Sequence, residues 1–231
     1  MSISQTDRKC NSTPITPTPF DITIIDRNIP SNTHNIYDII FDSNLTINTL
    51  ITSSPSLVDA WFLETNRLHN PFPLLIGLDI EWRPNFQRGR NNRTAVLQLC
   101  INNRCLVFQI IHSPFIPTSL TTFLSNINNK FVGVGIEDDI EKLLKDYKIH
   151  VANFDDLRTL AAYVLNDREM LKTGIKTLSQ RVLGKAVQKP KKVTTSKWDN
   201  KKLNEDQVKY ATVDAFVSFE VGRRLYSNQF F

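Results

Sequence analysis

Cysteine is scarce in this chain: three among 231 residues, at Cys10, Cys100 and Cys105. An odd count with no CxxC spacing excludes a disulfide framework and a zinc site. It leaves reduced thiols, with Cys100 and Cys105 flanking "INNR" in an expected hairpin where they approach across strands. No run approaches the roughly 20 apolar residues needed to span a bilayer. The polar opening "MSISQTDRKCNSTPITPTPF" has no apolar centre of signal-peptide type. These absences imply a soluble intracellular protein with no membrane partner. The histidines His34, His69, His112 and His150 match no ligand spacing and are assigned to structure. Nor is there an internal repeat. Charge is not lopsided: 28 Lys and Arg against 23 Asp and Glu leave +5. A polyanionic partner must therefore be inferred from where the cations cluster, not from their sum. What is present, 41% hydrophobic and 22% charged residues, is an ordinary globular balance.

Residues 1 to 30, rich in Ser, Thr, Pro and Asn, read as a loose tail, leaving 31–231 as one domain. "HNIYDIIF" and "LTINTLIT", separated by "DSN", predict a hairpin. "SPSLVDAWFLETNRLH" predicts a helix with Ser54 as cap, Pro55 first, and Leu57, Val58, Trp61 and Leu68 on or near one face. "LLIGLDIEW", "TAVLQLC" and "CLVFQI" follow as three strands of an antiparallel meander. "TSLTTFLSNI" predicts a helix and "FVGVG" a short buried strand. "EDDIEKLLKDY" is an amphipathic helix with Ile140, Leu143, Leu144 and Tyr147 inward. "NFDDLRTLAAYVL" reads as a helix capped by Asn153, and "IKTLSQRVLG" as one stopped by Gly184. After a lysine-rich connection, Asn204 and Gln207 open a long final helix with a capping-box pattern. Strands, then strand and helix in alternation, then helices, indicate an α/β fold. Its mixed sheet has three antiparallel strands continued by parallel ones and flanked by helices.

Two acids break the pattern. Asp79 and Glu81 in "IGLDIEW" sit inside an apolar strand at i and i+2, so both project from one face. Like charges so placed raise each other's pKa unless a cation joins them. An all-oxygen donor set points to Mg²⁺ or Mn²⁺ rather than zinc. In the last helix, Tyr210 and Asp214 of "YATVD" share a face. A third cluster, Glu137 to Asp139, opens a helix directly after "FVGVG". An acid there also suits the helix dipole, which accounts for one or two of the three.

In order and spacing, "GLDIEW", "GVGIEDDIEKL" and "LNEDQVKYATVDAF" resemble the three motifs of the DEDD superfamily of 3′→5′ exonucleases. The subgroup is that of the exonuclease domain of Werner-syndrome helicase and its helicase-free plant relatives. "TAVLQLC" and Trp198 fit it too, and the resemblance spans roughly residues 35 to 228. It implies an RNase H-like fold and two-metal hydrolysis of a phosphodiester by two Mg²⁺ or Mn²⁺ ions. Asp79, Glu81, Asp139 and Asp214 match the four metal-site acids, and Tyr210 the residue that orients the attacking water. Asp79 would bridge both ions, Glu81 and Asp214 complete one site, and Asp139 hold the other through water. Where a histidine would serve instead, this chain has Lys209, so the resemblance is to the tyrosine (DEDDy) type. The middle motif offers Asp138 beside Asp139; motif alignment selects Asp139. Glu141 stands where the Werner domain has an aromatic, which removes an end-stacking group at that place.

Strand binding needs cations and stacking surfaces beyond the acids. "GKAVQKPKKVTTSKWDNKK" supplies Lys185, Lys189, Lys191, Lys192, Lys197, Lys201 and Lys202 around Trp198. Lys191, Lys192 and Trp198 are the expected substrate contacts, with a solvated loop or a short nuclear-import signal as the other reading of "PKKV". Arg83, Arg88, Arg90 and Arg93 form a second cluster, of which Arg83 and Arg93 are expected near the scissile phosphate. Trp82 either stacks on the terminal base or packs half-buried. The activity expected is release of nucleoside 5′-monophosphates from a 3′ end, of DNA rather than RNA. An RNase D-like exoribonuclease and a catalytically silent nucleic-acid adaptor are the alternatives. No helicase motif follows, so a helicase would be a separate partner. The resemblance and the lysine run together imply the nucleus, otherwise the cytoplasm.

Overall fold

The structure is a computed structural model that describes residues 17–68, 73–85 and 92–230. Cys10, His69, Arg88 and Arg90 lie outside these. Two short strands, Thr18–Pro19 (β1) and Ile22–Asp26 (β2), precede the expected hairpin of His34–Phe41 (β3) and Leu45–Thr52 (β4). The stretch expected to be a loose tail through residue 30 is therefore partly ordered. Ile22 and Ile24 lean on the core beside Phe20, whose ring meets Phe41 edge-on at 5.4 Å. A short apolar alternation lay hidden in a polar composition.

Pro55–Leu68 (α1) buries Val58, Trp61, Phe62 and Thr65, while Leu68, expected inward, is exposed. The meander follows as Leu75–Glu81 (β5), Val96–Ile101 (β6) and Arg104–Phe108 (β7), with antiparallel pairing throughout. Thr118–Ser125 (α2) leads to Lys130–Gly133 (β8), and Ile136–Tyr147 (α3) to Phe154–Asp156 (β9). Both β8 and β9 add to the sheet in parallel. In α3, Ile140 and Leu143 are buried but Leu144 is exposed, correcting its inward assignment. Leu157–Val164 (α4) is capped by Asp156, which accepts from the Arg158 N–H. Asn153 caps nothing there, because pairing with β8 keeps residues 154–156 extended. Ile175–Leu183 (α5) ends at Gly184 in the left-handed conformation (φ 66°). Lys185–Ala186 (β10) pairs with β1, Lys191–Thr194 (α6) is one turn, and Glu205–Ser227 (α7) opens with the expected capping box.

The main sheet runs β2-β3-β4-β7-β6-β5-β8-β9. One face packs on α7, α4 and α5, the other on α1, α2 and α3. Strand β6 is buried at every residue because both faces are covered. Each large aliphatic side chain buried there contributes roughly 1.5–3 kcal/mol. Cys100 and Cys105 pair in register across β6 and β7 as free, buried thiols, and burial pushes the Cys100 thiol up.

Candidate metal centre and catalytic cleft

Alternation along β5 sends Ile76, Leu78 and Ile80 into the core layer beneath α1–α3. Gly77, Asp79 and Glu81 face α7 instead. Gly77 sets how close that helix comes: a Cβ there would lie 2.0 Å from the Ala215 carbonyl oxygen and 2.6 Å from the Phe219 nitrogen. Only a residue without a side chain lets α7 settle on β5. That approach brings Asp214, one turn after Tyr210, onto the two strand acids. Carboxylate oxygens of Asp79, Glu81 and Asp214 all lie within 4.8 Å of one another.

Asp139 enters from the start of α3. Gly135 holds the left-handed conformation (φ 72°) just before the helix, so helical geometry begins at Ile136. Asp138 then faces solvent and Asp139 is 9% exposed. The turn is pinned by Asp156, which accepts from the Gly135 N–H at 2.9 Å and from Arg158 Nη2 at 2.6 Å. Asp139 stands outside the tight group of three, but the Asp79 charge raises it and its own charge raises Glu81.

The electrostatics are those of buried acids crowded together. Burial and the Asp214 charge push Asp79 up to about 7. Burial and Asp79 push Glu81 to about 10 and Asp139 to about 9. Asp214, only 3% exposed, is also raised by burial. An all-carboxylate set so destabilised in its charged form fits a hard divalent cation, with Asp79, Glu81 and Asp214 as the residues able to hold it. The Tyr210 hydroxyl sits between Thr194 Oγ1, 3.2 Å away, and Asp214, and burial holds it well above the usual phenol range.

A cleft of about 430 Å³ opens over these groups, lined by Asp79, Asp214, Ser218, Lys189 and the start of α5. Lys189 escaped the sequence reading as a site residue. Its Nζ is 2.6 Å from Asp214 Oδ2 and 5.0 Å from the Tyr210 ring centre. Burial alone would lower it, but Asp214 and Asp79 raise it strongly. Gln98 was missed too. It lies opposite Asp79 in register, fully buried, with neither amide atom hydrogen-bonded among the described residues. A lone amide inside "VLQLCI" was the available signal.

The expected strand contacts separate. Lys191 and Lys192 are exposed on α6. Trp82 is 37% exposed beneath Lys142, whose Nζ lies 5.1 Å from its ring centre. Arg83 pairs with Asp199 at 3.3 Å. Arg93 donates to the Asp146 carbonyl at 2.6 Å and stacks on Tyr147 at 4.2 Å. Trp198 is a correction: at 0% exposure it offers no surface to a strand. Its indole N–H donates to the Thr194 carbonyl, and its ring packs 5.9 Å from Tyr210.

A mixed sheet whose central strand and crossing helix converge buried acids on an open cleft defines an RNase H-like, acid-centred site. The family model for 3′-5′ exonucleases matches residues 51–228, and the chain belongs to that family. It is 36% identical over 152 residues, 65% of its length, to the bifunctional 3′-5′ exonuclease/ATP-dependent helicase WRN of Mus musculus. It is 34% identical over 148 residues, 63% of its length, to a 3′-5′ exonuclease of Arabidopsis thaliana. It spans 11% and 50% of those proteins respectively. Among solved structures, Escherichia coli RNase D aligns with TM-score 0.64 at 16% identity, over 78% of this chain and 44% of that one. The Aedes aegypti Nibbler EXO domain aligns with TM-score 0.62 at 19% identity, over 78% and 89%. These two share the fold. Among the described residues no helix is long and apolar enough to cross a membrane.

Proposed function

We propose that this chain is a metal-dependent 3′→5′ exonuclease that removes nucleoside 5′-monophosphates from the 3′ end of DNA. The observation that carries the reading is the meeting of Asp79, Glu81 and Asp214 within 4.8 Å, in a chain whose family is 3′-5′ exonuclease. Bound Mg²⁺ or Mn²⁺, two ions in this reading, would activate water and stabilise the departing 3′ oxygen. Asp79 would contribute to holding both ions, with Glu81 and Asp214 for one and Asp139 for the other. Tyr210 stays protonated at neutral pH, because its pKa is raised. It therefore orients the attacking water as a hydrogen-bonding group and does not act as a base.

Exposed Lys191 and Lys192, with Arg83 and the Trp82 face, offer cations and a stacking surface to the strand. Preference for DNA, a nuclear location and a helicase as partner rest on the likeness to the Werner-type relative, which joins exonuclease and helicase. The test is digestion of matched 5′-labelled DNA and RNA, single-stranded and recessed, with Mg²⁺ or Mn²⁺, beside an Asp79→Ala/Glu81→Ala control. A descending ladder on DNA that vanishes in the control is expected. A ladder on RNA alone would move the protein to RNA processing. Binding with no ladder on either would make it an adaptor.

A further inference from the structure

Lys189 is the cation already inside the acid cluster. Its side chain is 28% exposed, and its Nζ makes a 2.6 Å ion pair with Asp214 Oδ2 while lying over the Tyr210 ring. Its loop is tied on both sides. Before it, the Phe20 N–H donates to the Ala186 carbonyl at 3.1 Å and β10 pairs with β1. After it, Thr194 of α6 donates to the Tyr210 hydroxyl. The backbone is therefore held, and the freedom left is that of a four-carbon stem ending in a rotatable ammonium.

That ammonium occupies Asp214 Oδ2, one of the carboxylate oxygens through which Asp214, Asp79 and Glu81 could hold an ion. Two cations cannot share this oxygen at bonding distance without strong repulsion in so dry a place. We propose that Lys189 is a resident counter-ion: it neutralises the cluster when no metal is bound, and a divalent ion must displace it to enter. Lys189 is thus a positioning residue whose swing and metal uptake are one coupled event. This rests on the reading of the acid cluster as a divalent-metal site.

Calorimetric titration of the full chain with Mn²⁺ alone, and its melting temperature with and without Mn²⁺, test the idea on wild type and Lys189→Met. The variant keeps most of the stem's bulk and loses the charge. It is expected to bind Mn²⁺ more tightly, by roughly tenfold, an ordinary size for coupling between competing ligands. Its metal-free melting temperature should fall and the rise on adding Mn²⁺ should grow. An unchanged or weaker Mn²⁺ affinity in Lys189→Met, with wild type binding normally, overturns the proposal and leaves the metal site standing. Binding by neither protein removes the metal site itself and the proposal with it. If Lys189→Met is unfolded without metal, refolding by Mn²⁺ below the wild-type Kd supports the proposal, and failure to refold at any Mn²⁺ concentration overturns it.

Discussion

Helix α3 carries an aspartate of opposite character at each end. Asp139, at its start, is 9% exposed and pushed up to about 9, first by burial and then by Asp79. Asp146, in its last turn, is half-buried. Burial pushes it up as well, yet it is held below the usual range by the Thr94 N–H at 2.7 Å and by Lys142 at 3.1 Å. The first-turn position should favour Asp139, since the helix dipole stabilises an anion there. Burial raises both, Asp139 being the deeper of the two; what reverses the sign at Asp146 is its supply of donors. One end of the helix satisfies its acid from within the fold. At the other, Asp139 receives no hydrogen bond among the described residues, and its nearest influences include further acids. Unsatisfied buried carboxylates at a cleft are what a site awaiting a cation requires.

Isosteric substitutions should separate the pair most sharply. Asp139→Asn is expected to lower the rate of mononucleotide release by on the order of 10³-fold, about 4 kcal/mol of barrier. Asp146→Asn should leave that rate within a few-fold, and comparable losses in single-turnover assays would erase the distinction. Gly77→Ala attacks the approach of α7 that assembles the cleft. Its added methyl would meet backbone at 2.0 Å, and a loss of about 3 kcal/mol in denaturant unfolding is expected. A variant as stable as wild type would show that α7 is not held so closely.

Asp146→Asn should itself cost about 2 kcal/mol, because it weakens charge-assisted hydrogen bonds. The thermal midpoint should fall by roughly 5 °C, whereas Asp139→Asn should leave the metal-free midpoint unchanged or raise it. The smallest effect is in pH. Unfolded carboxylates titrate near about 4, whereas folded Asp79 holds its proton to about 7 and Asp139 to about 9. Without metal, these groups make the protein less stable as pH rises through that window. Asp146 has the opposite sign: its contribution is present above about 4 and lost as pH falls further. Metal uptake requires the ionised acids, so the midpoint gained on adding Mg²⁺ should grow from pH 5 to pH 9. A gain independent of pH would contradict the raised values.

The strand acids were legible because period-2 alternation alone puts Asp79 and Glu81 on one face, and helical spacing alone joins Tyr210 to Asp214. The preference for Asp139 over Asp138 depended on where one helix starts, and Gly135 fixes that start at Ile136. Trp198 was misjudged because its neighbours are lysines, whereas its burial comes from α7 folding back over it. Lys189 was indistinguishable from the other lysines of its loop. What singles it out is long-range, the pairing of β10 with a strand more than 160 residues earlier in the chain. Leu144 and Asn153 failed for smaller reasons, a helix turned slightly from its ideal stripe and an extended segment captured by β8.

The hairpin of β3 and β4 contributes no group to the cleft, and the family match begins only at residue 51, near its end. Yet β4 pairs in parallel with β7 from Asn48–Arg104 to Thr52–Phe108. Cys105, Leu106, Val107 and Phe108 are all fully buried. A chain trimmed to the matched stretch would keep Asp79, Glu81, Asp139 and Asp214 and bare the hydrogen-bonding edge of an apolar strand, a template for aggregation. The hairpin is in that sense a built-in chaperone for the sheet, and solubility sets how short a version of this domain can be.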